Sequence, residues 1–231
     1  MKVVDSGSKS ALEQMQIDEA LLLDGVQHPL LRFYDWSSNA VTYGYFINPS
    51  DWLKIVPENC ARRPTGGGLI FHEGDFSFTL ALPPEHALAQ KPVLERYQII
   101  NSAVLQVISS LVPDCEPGCE MTLQLQKQEG VLDQLCMANP TQYDLLLGAK
   151  KIGGAAQRKN KRAFIHQCSL ILTLPDWQRI ARELVDPEHV LPKLQAFTGS
   201  LFPDKAAINA NFRDMLKAAL QQYIKKIASF R

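Results

Sequence analysis

The segment RRPTGGGLIFH, residues 62–72, and the segment KKIGGAAQ, residues 150–157, carry the most specific patterns in this chain. In the first, Gly66, Gly67 and Gly68 allow backbone N–H groups to converge on a ligand without obstruction by a Cβ atom. The two arginines before them provide charge for an acyl carboxylate or an acyl adenylate. Because the spacing is neither GxxxxGK(S/T) nor GxGxxG, the segment predicts a ligand-binding turn outside the P-loop and Rossmann classes.

Composition indicates a globular chain. It has 231 residues, of which 46% are hydrophobic and 21% charged, and Lys+Arg equals Asp+Glu at 24 each. These values exclude disorder and a globally basic nucleic-acid-binding protein, and we expect one domain over 1–231. There is no signal-peptide pattern and no stretch of ~18 apolar residues, which predicts a cytoplasmic protein that does not enter a membrane. The five cysteines form no paired framework, so we expect neither disulfides nor a metal site.

Hydrophobic periodicity predicts an α+β architecture with a core over about 11–175 and a helical portion over 176–231. The predicted helices cover 11–23, 91–112, 176–185 and 209–230. The predicted strands cover 30–36 and 39–46 as a hairpin, the two sides of the glycine turn in 60–82, and then 143–148, 150–157 and 163–174. We expect loops and short strands over 113–138, with a turn at DCEPGCE, residues 114–120.

Lys151 lies in the second motif, where Gly153 and Gly154 allow close backbone approach. A lysine at this position can direct a fixed charge at a carbonyl or phosphate oxygen. Strand alternation places its neighbour Lys150 on the opposite side. A register that buries Ile152 would turn Lys151 outward, so two exposed lysines remain the alternative.

Cys136 lies between an apolar run and a turn that contains proline, a place where a thiol can be partly exposed. A free cysteine is usually a small buried apolar residue. A nearby cation would raise the thiolate fraction and make the residue a nucleophile, and Lys151 is the candidate for that cation. Cys60 and Cys168 have the character of small residues within strands.

Several charged residues have competing interpretations. His72 fits either a satisfied buried side chain or a pocket wall. Glu73 and Asp75 are expected to be solvated turn residues, with a magnesium contact as the alternative. Asp18 and Glu19 are expected to face solvent or to cap neighbouring structure. The run RKNKR, residues 158–162, predicts an exposed hairpin tip, or else a surface that steers an acidic protein partner.

Taken together, these segments resemble the lipoate-protein ligase and octanoyltransferase family, whose catalytic fold is shared with biotin-protein ligases. RRPTGGGLIFH is similar to the family's RRxTGGGxxxH signature, and 150–170 is similar to its Lys-Ile-x-Gly-x-Ala-Gln strand and succeeding HxGS-like strand. MQIDEALL, residues 15–22, and the segment 30–46 resemble its opening helix and following hairpin. The resemblance implies a mixed or antiparallel β-sheet flanked by helices, without a separate large accessory domain.

The same resemblance implies roles for individual residues. Lys151 would hold the acyl carbonyl or an activated phosphate, and CMANPTQYD, residues 136–144, looks like the CFxxPSxYE segment that carries a nucleophilic cysteine in one bacterial octanoyltransferase group. The acyl or adenylate pocket would be lined by Arg63, Thr65, Gly66, Gly67, Gly68, His72, Gly154 and Ala155. Three positions depart from the pattern, namely Asn48, Met137 and Cys168, the last of which stands where glycine is usual.

The resemblance leaves three functions open. In the first, Cys136 takes an octanoyl or lipoyl group from an acyl carrier protein and passes it to a lysine of a lipoyl-domain protein, without a cofactor. In the second, ATP and Mg²⁺ activate lipoate as lipoyl adenylate for the same acceptor. The third is a non-catalytic acyl- or partner-binding protein on the same fold. Glycine cleavage H protein and the E2 subunit of 2-oxoacid dehydrogenases would be the acceptors.

Overall fold

The structure is a computed structural model that describes residues 1–112, 120–126 and 134–229. In chain order its strands are β1 (Lys2–Lys9), β2 (Leu30–Trp36), β3 (Ala40–Tyr43), β4 (Cys60–Arg62), β5 (Ile70–His72), β6 (Asp75–Leu82), β7 (Met121–Leu123), β8 (Leu145–Leu147), β9 (Lys150–Lys159) and β10 (Phe164–Ile171). Its helices are α1 (Ala11–Asp24), α2 (Ala87–Gln90), α3 (Val93–Leu111), α4 (Trp177–Glu183), α5 (Pro187–Phe197) and α6 (Phe212–Ile227). Short 3-10 turns cover Pro49–Asp51, Cys136–Ala138 and Lys205–Ala207. Most of the predicted turn at 114–120, with Cys115 and Cys119, lies outside the described residues.

The strands form two sheets. The larger has seven strands in the order β1-β2-β6-β10-β9-β8-β7, and the smaller has three in the order β4-β3-β5. In the larger sheet β1 pairs parallel with β2 and the remaining pairs are antiparallel. With helices packed on it, this mixed sheet confirms the predicted fold class.

The first helix begins where its capping residues dictate. The Ser10 side chain accepts a hydrogen bond from the Glu13 N–H while the Glu13 carboxylate accepts from Ser10, which completes a capping box. The helix ends before Gly25, whose φ of 86° favours glycine. Its inner face buries Ala11 and Met15 against β2 and the small sheet. The helix predicted for 11–23 is confirmed.

The long third helix and the last helix cover one face of the larger sheet. Their apolar positions, among them Ile100, Val104, Leu216 and Leu220, join the same core cluster as the strand residues Phe78 and Leu170. Burial of this amphipathic surface is the main stabilising contribution to both helices. The predicted helices over 91–112 and 209–230 are confirmed, with slightly shorter bounds. No helix among the described residues is long and apolar enough to cross a membrane.

The hairpin predicted for 30–36 and 39–46 is wrong. Strand β2 pairs with β1 and β6, whereas β3 pairs with β4 and β5 in the smaller sheet. Ser37 and Ser38 therefore connect two sheets and do not form a hairpin turn. The reason is burial: β2 is buried at four consecutive positions, so its partners are fixed by the core and not by the next strand along the chain.

Strand β1 and helices α2 and α5 had no counterpart in the sequence prediction. Strand β1, KVVDSGSK, contains residues of low β-propensity and depends on parallel pairing with β2. Helix α5 lies in the segment interpreted as a connection over 186–207. Its start is specified by Asp186, which caps the helix through the N–H of His189, and by Pro187 at the first helical position.

Candidate active site

The glycine turn is held by backbone contacts with the chain that follows β3. Gly44 N–H donates to the Gly68 carbonyl at 3.2 Å, and Tyr45 N–H donates to the Thr65 carbonyl at 2.9 Å. A Cβ atom on Gly44 would lie 1.8 Å from the Gly67 oxygen, so a side chain at position 44 is sterically excluded. Gly67 has a φ of 89°, a conformation that favours glycine. The turn therefore has one rigid shape.

The other side of the turn is joined to the cysteine segment. Leu69 N–H donates to the Gln134 carbonyl at 2.8 Å, and Cys136 N–H donates back to the Leu69 carbonyl at 3.3 Å. Between them, Gly68 N–H points at the Cys136 sulfur, 2.8 Å away. A Cβ atom on Gly68 would meet the Gln134 oxygen at 2.1 Å, so glycine is required for this approach. The motif thus places a backbone N–H donor on the Cys136 sulfur.

Arg63 is buried beneath the turn and organises it. Its guanidinium donates to the carbonyls of Gly66 at 3.2 Å and Gly68 at 2.6 Å, and to Thr42 Oγ1 at 2.7 Å. Burial lowers the pKa of Arg63, and the adjacent Cys136 sulfur opposes that shift through charge and hydrogen bonding. The sequence nominated Lys151 as the cation for this thiol, but the structure shows that Arg63 is beside it.

His72 is a satisfied buried side chain and also part of the pocket wall, so both sequence-based interpretations of this residue are correct. Its Nε2 lies 2.6 Å from Thr42 Oγ1, its Nδ1 lies 2.7 Å from Asp75 Oδ2, and its ring stacks on Trp36 with centroids 4.0 Å apart. Asp75 is not the solvated turn residue that was expected, because the following β6 strand carries it inside the sheet, where it also accepts hydrogen bonds from Ser77 and Ser169. Burial alone would raise its pKa, but His72 and these hydroxyls lower the pKa of the Asp75 carboxyl.

Lys151 is buried, which excludes the alternative of two exposed lysines. Its Nζ donates to Asp144 Oδ2 at 2.6 Å and approaches the Asn139 carbonyl at 3.5 Å. Asp144 is held in turn by the N–H and hydroxyl of Thr141, at 2.7 and 2.9 Å. A Cβ atom on Gly154 would lie 2.9 Å from Lys151 Nζ, so this glycine makes room for the ammonium. A register irregularity between β8 and β9 allows Lys151 and Ile152 both to be buried.

Two cavities meet at these residues. The first encloses about 780 Å³ of empty space, including the part open to solvent. Its wall is largely apolar and includes Met15, Tyr34, Trp36, Phe71, Cys168 and Ile171. The second, called the polar cavity here because polar groups form a larger share of its wall than in the first, is lined by the glycine turn, the cysteine segment and strand β9, including Gly66, Gly67, Gly68, Asn139, Thr141 and Gln157. Cys136, Lys151, Ala155 and Ala156 line both cavities.

The other described cysteines differ from Cys136 in their surroundings. Burial, with a smaller contribution from Glu183, raises the pKa of Cys60 to about 11. Burial also raises the pKa of Cys168, whose side chain is 3% exposed in the wall of the apolar cavity. Both thiols stay protonated at neutral pH, and both lie in strands or at their ends as predicted.

A buried polar network supports the first helix behind the site. Asp18 was expected at the surface, but it is fully buried and pairs with Arg32 at 2.7 Å. It also accepts hydrogen bonds from Thr79 at 2.7 Å and from Gln167 at 2.6 Å. Gln167 in turn accepts from Thr65 Oγ1 at 2.5 Å, which ties the glycine turn to this network. Burial raises the pKa of Asp18, and its polar neighbours oppose that rise. Glu19 is exposed, as expected.

The basic run at 158–162 is exposed, and most of its charges have a structural role. Lys159 donates to the Ala89 carbonyl and Arg158 to the Pro64 carbonyl, at 2.9 and 2.7 Å, while Arg162 bonds the Leu23 carbonyl. Since Gln157 to Lys159 belong to strand β9, the connection is shorter than predicted. The hairpin between β9 and β10 is therefore hydrogen-bonded to α2, to the glycine turn and to α1.

Sequence reasoning missed two residues that hold the site. Thr42 connects Arg63 to His72, and Asp144 fixes Lys151. The spacing of Thr141 and Asp144, three residues apart after a proline, is a local signal for a capped turn that could have identified the carboxylate. Glu73 pairs with Arg179 at 3.0 Å. The described residues contain no cluster of three His, Cys, Asp or Glu that could hold a metal ion.

The model of the lipoyl protein ligase A/B catalytic domain matches residues 10–189. Among curated proteins, the octanoyltransferase LipM of Bacillus subtilis is 26% identical over 203 residues, which cover 84% of this chain and 73% of the relative. The octanoyltransferase LipM of Symbiobacterium thermophilum is 29% identical over 182 residues, which cover 75% of this chain and 65% of the relative.

Solved structures share the fold. A lipoate-protein ligase A bound with ATP superposes with a TM-score of 0.68 at 20% identity, over 97% of this chain and 84% of the ligase. A bipartite lipoate protein ligase from Thermoplasma acidophilum gives a TM-score of 0.69 at 19% identity, over 100% of this chain and 85% of that one. A biotin protein ligase from Aquifex aeolicus gives 0.51 at 11% identity, over 99% of this chain and 71% of that one.

Proposed function

Because the chain belongs to the lipoyl protein ligase A/B catalytic domain family, we propose that it is an acyltransferase that carries an octanoyl or lipoyl group to a lysine of a lipoyl-domain protein by way of Cys136. The observation that carries the proposal is the position of Cys136 and Lys151 where an apolar and a polar cavity meet. An acyl chain in the first cavity would present its carbonyl to both side chains. Similarity to octanoyltransferases supports the octanoyl group as the substrate.

In the first half of the reaction, the Cys136 thiolate attacks the thioester carbonyl of an octanoyl carrier protein. The bond between carbonyl carbon and carrier sulfur breaks, and the carrier leaves as a thiol after it takes up the proton that Cys136 had released. Gly68 N–H and the Arg63 guanidinium stabilise the attacking sulfur. One thioester replaces another, so this step needs no ATP.

Lys151 stabilises the charge that develops on the carbonyl oxygen. An ammonium group has three N–H donors, and among the described residues Lys151 directs donors at Asp144 and Asn139. The remaining donor is available to the acyl oxygen. Since Asp144 fixes the ammonium before the substrate arrives, little reorganisation is needed in the transition state.

In the second half, the neutral amine of the acceptor lysine attacks the acyl carbon. The new C–N bond forms, the bond to Cys136 sulfur breaks, and the amine proton passes to that sulfur. The thiol is thereby regenerated and the product is an amide. We propose glycine cleavage H protein or a 2-oxoacid dehydrogenase E2 subunit as the acceptor.

An ATP-dependent lipoate ligase is the second candidate, supported by the fold shared with a ligase bound to ATP. In that reaction Arg63 and the glycine turn would hold a lipoyl adenylate, with Mg²⁺ offsetting phosphate charge, and Lys151 would contact the intermediate. Cys136 would then be dispensable. A non-catalytic binding protein is the third candidate, and the paired Lys151 and Asp144 beside an approachable thiol argue against it.

The test is to incubate the protein with octanoyl carrier protein and to measure the mass of its cysteine peptides. We expect an octanoyl adduct on the Cys136 peptide that is absent in Cys136→Ala. Cys60→Ala is the matched control, because Cys60 is a half-buried thiol outside both cavities, and it should load normally. Transfer of the adduct to a lipoyl domain is then followed by the mass of the acceptor.

The parallel reaction contains lipoate, ATP and Mg²⁺ and is assayed for pyrophosphate. Pyrophosphate release with undiminished lipoylation by Cys136→Ala would establish the ligase and overturn the thioester mechanism. Absence of both an adduct and pyrophosphate would favour the binding protein.

A further inference from the structure

An aromatic and basic surface lies beside the glycine turn of the candidate active site. We define the Tyr45 patch as Tyr45, Phe46, Arg62 and Arg158. The Arg62 and Arg158 guanidiniums each lie 4.6 Å from the Tyr45 ring centroid, and the Phe46 ring packs edge-on to it at 5.2 Å. The Phe46 side chain is 90% exposed, so it has little packing within its own chain. The patch thus combines an exposed apolar ring with a tyrosine that carries two cations.

The charges of the patch are not neutralised within the described part of the chain. There, neither Arg62 nor Arg158 pairs with a carboxylate, whereas Arg32, Arg179 and Arg213 all do. Arg158 is fixed by its bond to the Pro64 carbonyl at 2.7 Å, and both arginines are fixed by stacking on Tyr45. Two preorganised guanidiniums are suited to bidentate contacts with carboxylates.

The patch is attached to the catalytic turn by short backbone links. Tyr45 N–H bonds the Thr65 carbonyl, and the adjacent Gly44 N–H bonds the Gly68 carbonyl, whose own N–H points at Cys136 Sγ at 2.8 Å. The patch is therefore hydrogen-bonded to the same turn whose glycines line the polar cavity.

We propose that the Tyr45 patch docks the lysine-bearing acceptor protein, through acidic residues of the acceptor that flank its target lysine. This inference rests on the proposed function. Carboxylates would pair with Arg62 and Arg158, and an apolar contact would cover Phe46, a combination typical of residues that dominate interface energies.

The length of the reactive arm favours the acceptor over the acyl donor. A lysine amine is separated from its backbone by only a four-carbon stem. The surface of the acceptor protein must therefore lie directly over the opening of the polar cavity. A carrier protein presents its thioester on a prosthetic arm several times longer, which lets its surface remain at a distance. The patch next to the turn therefore matches the partner with the shorter arm.

The experiment separates the two half reactions with Arg62→Ala/Arg158→Ala and with Phe46→Ala. Loading of Cys136 from octanoyl carrier protein should be unchanged. Transfer from the loaded enzyme to the lipoyl domain should lose about 10- to 100-fold in kcat/KM through a higher KM, while transfer to a small lysine amide should be unchanged. The charge-matched control is Lys205→Ala/Lys225→Ala, which removes two exposed cations from other elements and should behave as wild type.

A direct measurement keeps this inference separate from the proposed function. Calorimetric titration of each variant with the lipoyl domain should show the same loss of affinity, and wild-type affinity should fall with added salt more steeply than that of the double arginine variant. Equal affinity of the arginine variants and wild type, or an equal loss in the lysine control, would overturn the patch assignment. Failure of Cys136 to load in wild type would overturn the mechanism and leave the binding result to decide the patch.

Discussion

The apolar and polar cavities share Cys136 and Lys151 but are built differently. Regular strands and one helix supply most of the apolar wall, as shown by Met15 on α1, Tyr34 on β2 and Cys168 on β10. The polar cavity is lined largely by the glycine turn and the segment after Cys136, whose shape depends on side-chain caps and close backbone approach. Under the proposed mechanism, the sheet selects the acyl chain, and the chemistry takes place where Cys136, outside the sheet, meets Lys151 on strand β9.

The largest effect is expected where the two cavities meet. Lys151→Met should lower kcat by about 10²- to 10³-fold, because it removes the preorganised donor for the acyl oxygen. The measurement is the single-turnover rate of Cys136 loading from octanoyl carrier protein. Lys150→Met, on the adjacent exposed residue of the same strand, is the control and should load at the wild-type rate.

Loss of Lys151 also leaves Asp144 buried without its cation, which costs on the order of 3–5 kcal/mol in the free energy of unfolding. Lys151→Met/Asp144→Asn removes that unpaired charge and should regain stability while staying slow. If the double variant regains activity together with stability, Lys151 has a structural role, and its proposed role as donor to the acyl oxygen is wrong.

A second prediction tests the close approach of Gly154, in strand β9, to Lys151. Gly154→Ala places a Cβ atom 2.7 Å from Lys151 Cε and 2.8 Å from Asp144 Oδ1, so the ammonium must shift. We expect about a 10- to 100-fold lower loading rate, since small misplacements of a catalytic group are costly. Gly66→Ala adds the same methyl group to the polar cavity where nothing lies within 4 Å, and it should lose little. Equal rates for both variants would contradict the assigned role of Gly154.

The contrast between sheet and loops also explains what sequence reasoning recovered. The glycine turn was identified from its own pattern, whereas Cys136 and Lys151 each had an alternative interpretation and were assigned to the site with the help of the family resemblance. Helices with strong periodicity, such as α3, were placed within a few residues. Such patterns depend on neighbouring residues alone, so they can be identified without knowledge of the tertiary contacts.

What sequence reasoning missed depends on contacts between distant segments. Asp18 and Asp75 carry no local sign of burial, and each is accommodated by partners from other elements, Arg32 and His72 among them. Pairing of β2 with β1 and β6 likewise depends on the whole sheet and not on the intervening serines. Tertiary burial thus overrode both local polarity and local turn chemistry.

The third prediction concerns the apolar wall alone. Cys168 contributes its side chain to that wall, so Cys168→Ala enlarges the cavity and Cys168→Val reduces it. We expect the ratio of kcat/KM for lipoyl over octanoyl donors to rise about tenfold in the first variant and to fall in the second, as for one methyl-sized change in an apolar pocket. Because the readout is a ratio, a general loss of stability does not affect it. Unchanged ratios in both variants would show that selection occurs elsewhere.

The fourth prediction compares the two cavities by their response to acid. His166 lies behind the polar cavity, where it bonds Gln157 at 2.9 Å, and burial lowers its pKa to about 3. As the pH falls below about 6.5, the unfolded chain binds a proton at this residue and the folded protein does not. The free energy of unfolding should therefore decrease by up to about 1.4 kcal/mol per pH unit through that window, until the pH nears the folded pKa.

Asp75, in the wall of the apolar cavity, should respond in a lower window. Its folded pKa is held below the ordinary 3.8 despite burial, because His72 and two hydroxyls stabilise the carboxylate. Its contribution is therefore complete above about pH 4 and is lost as the pH falls toward the folded pKa. In urea titrations between about pH 7 and about pH 4, His166→Gln should flatten the slope of unfolding free energy against pH, and Asp75→Asn should leave it as in wild type. If Asp75→Asn flattens the slope and His166→Gln leaves it unchanged, the loss of stability between about pH 7 and about pH 4 comes from Asp75 and not from His166.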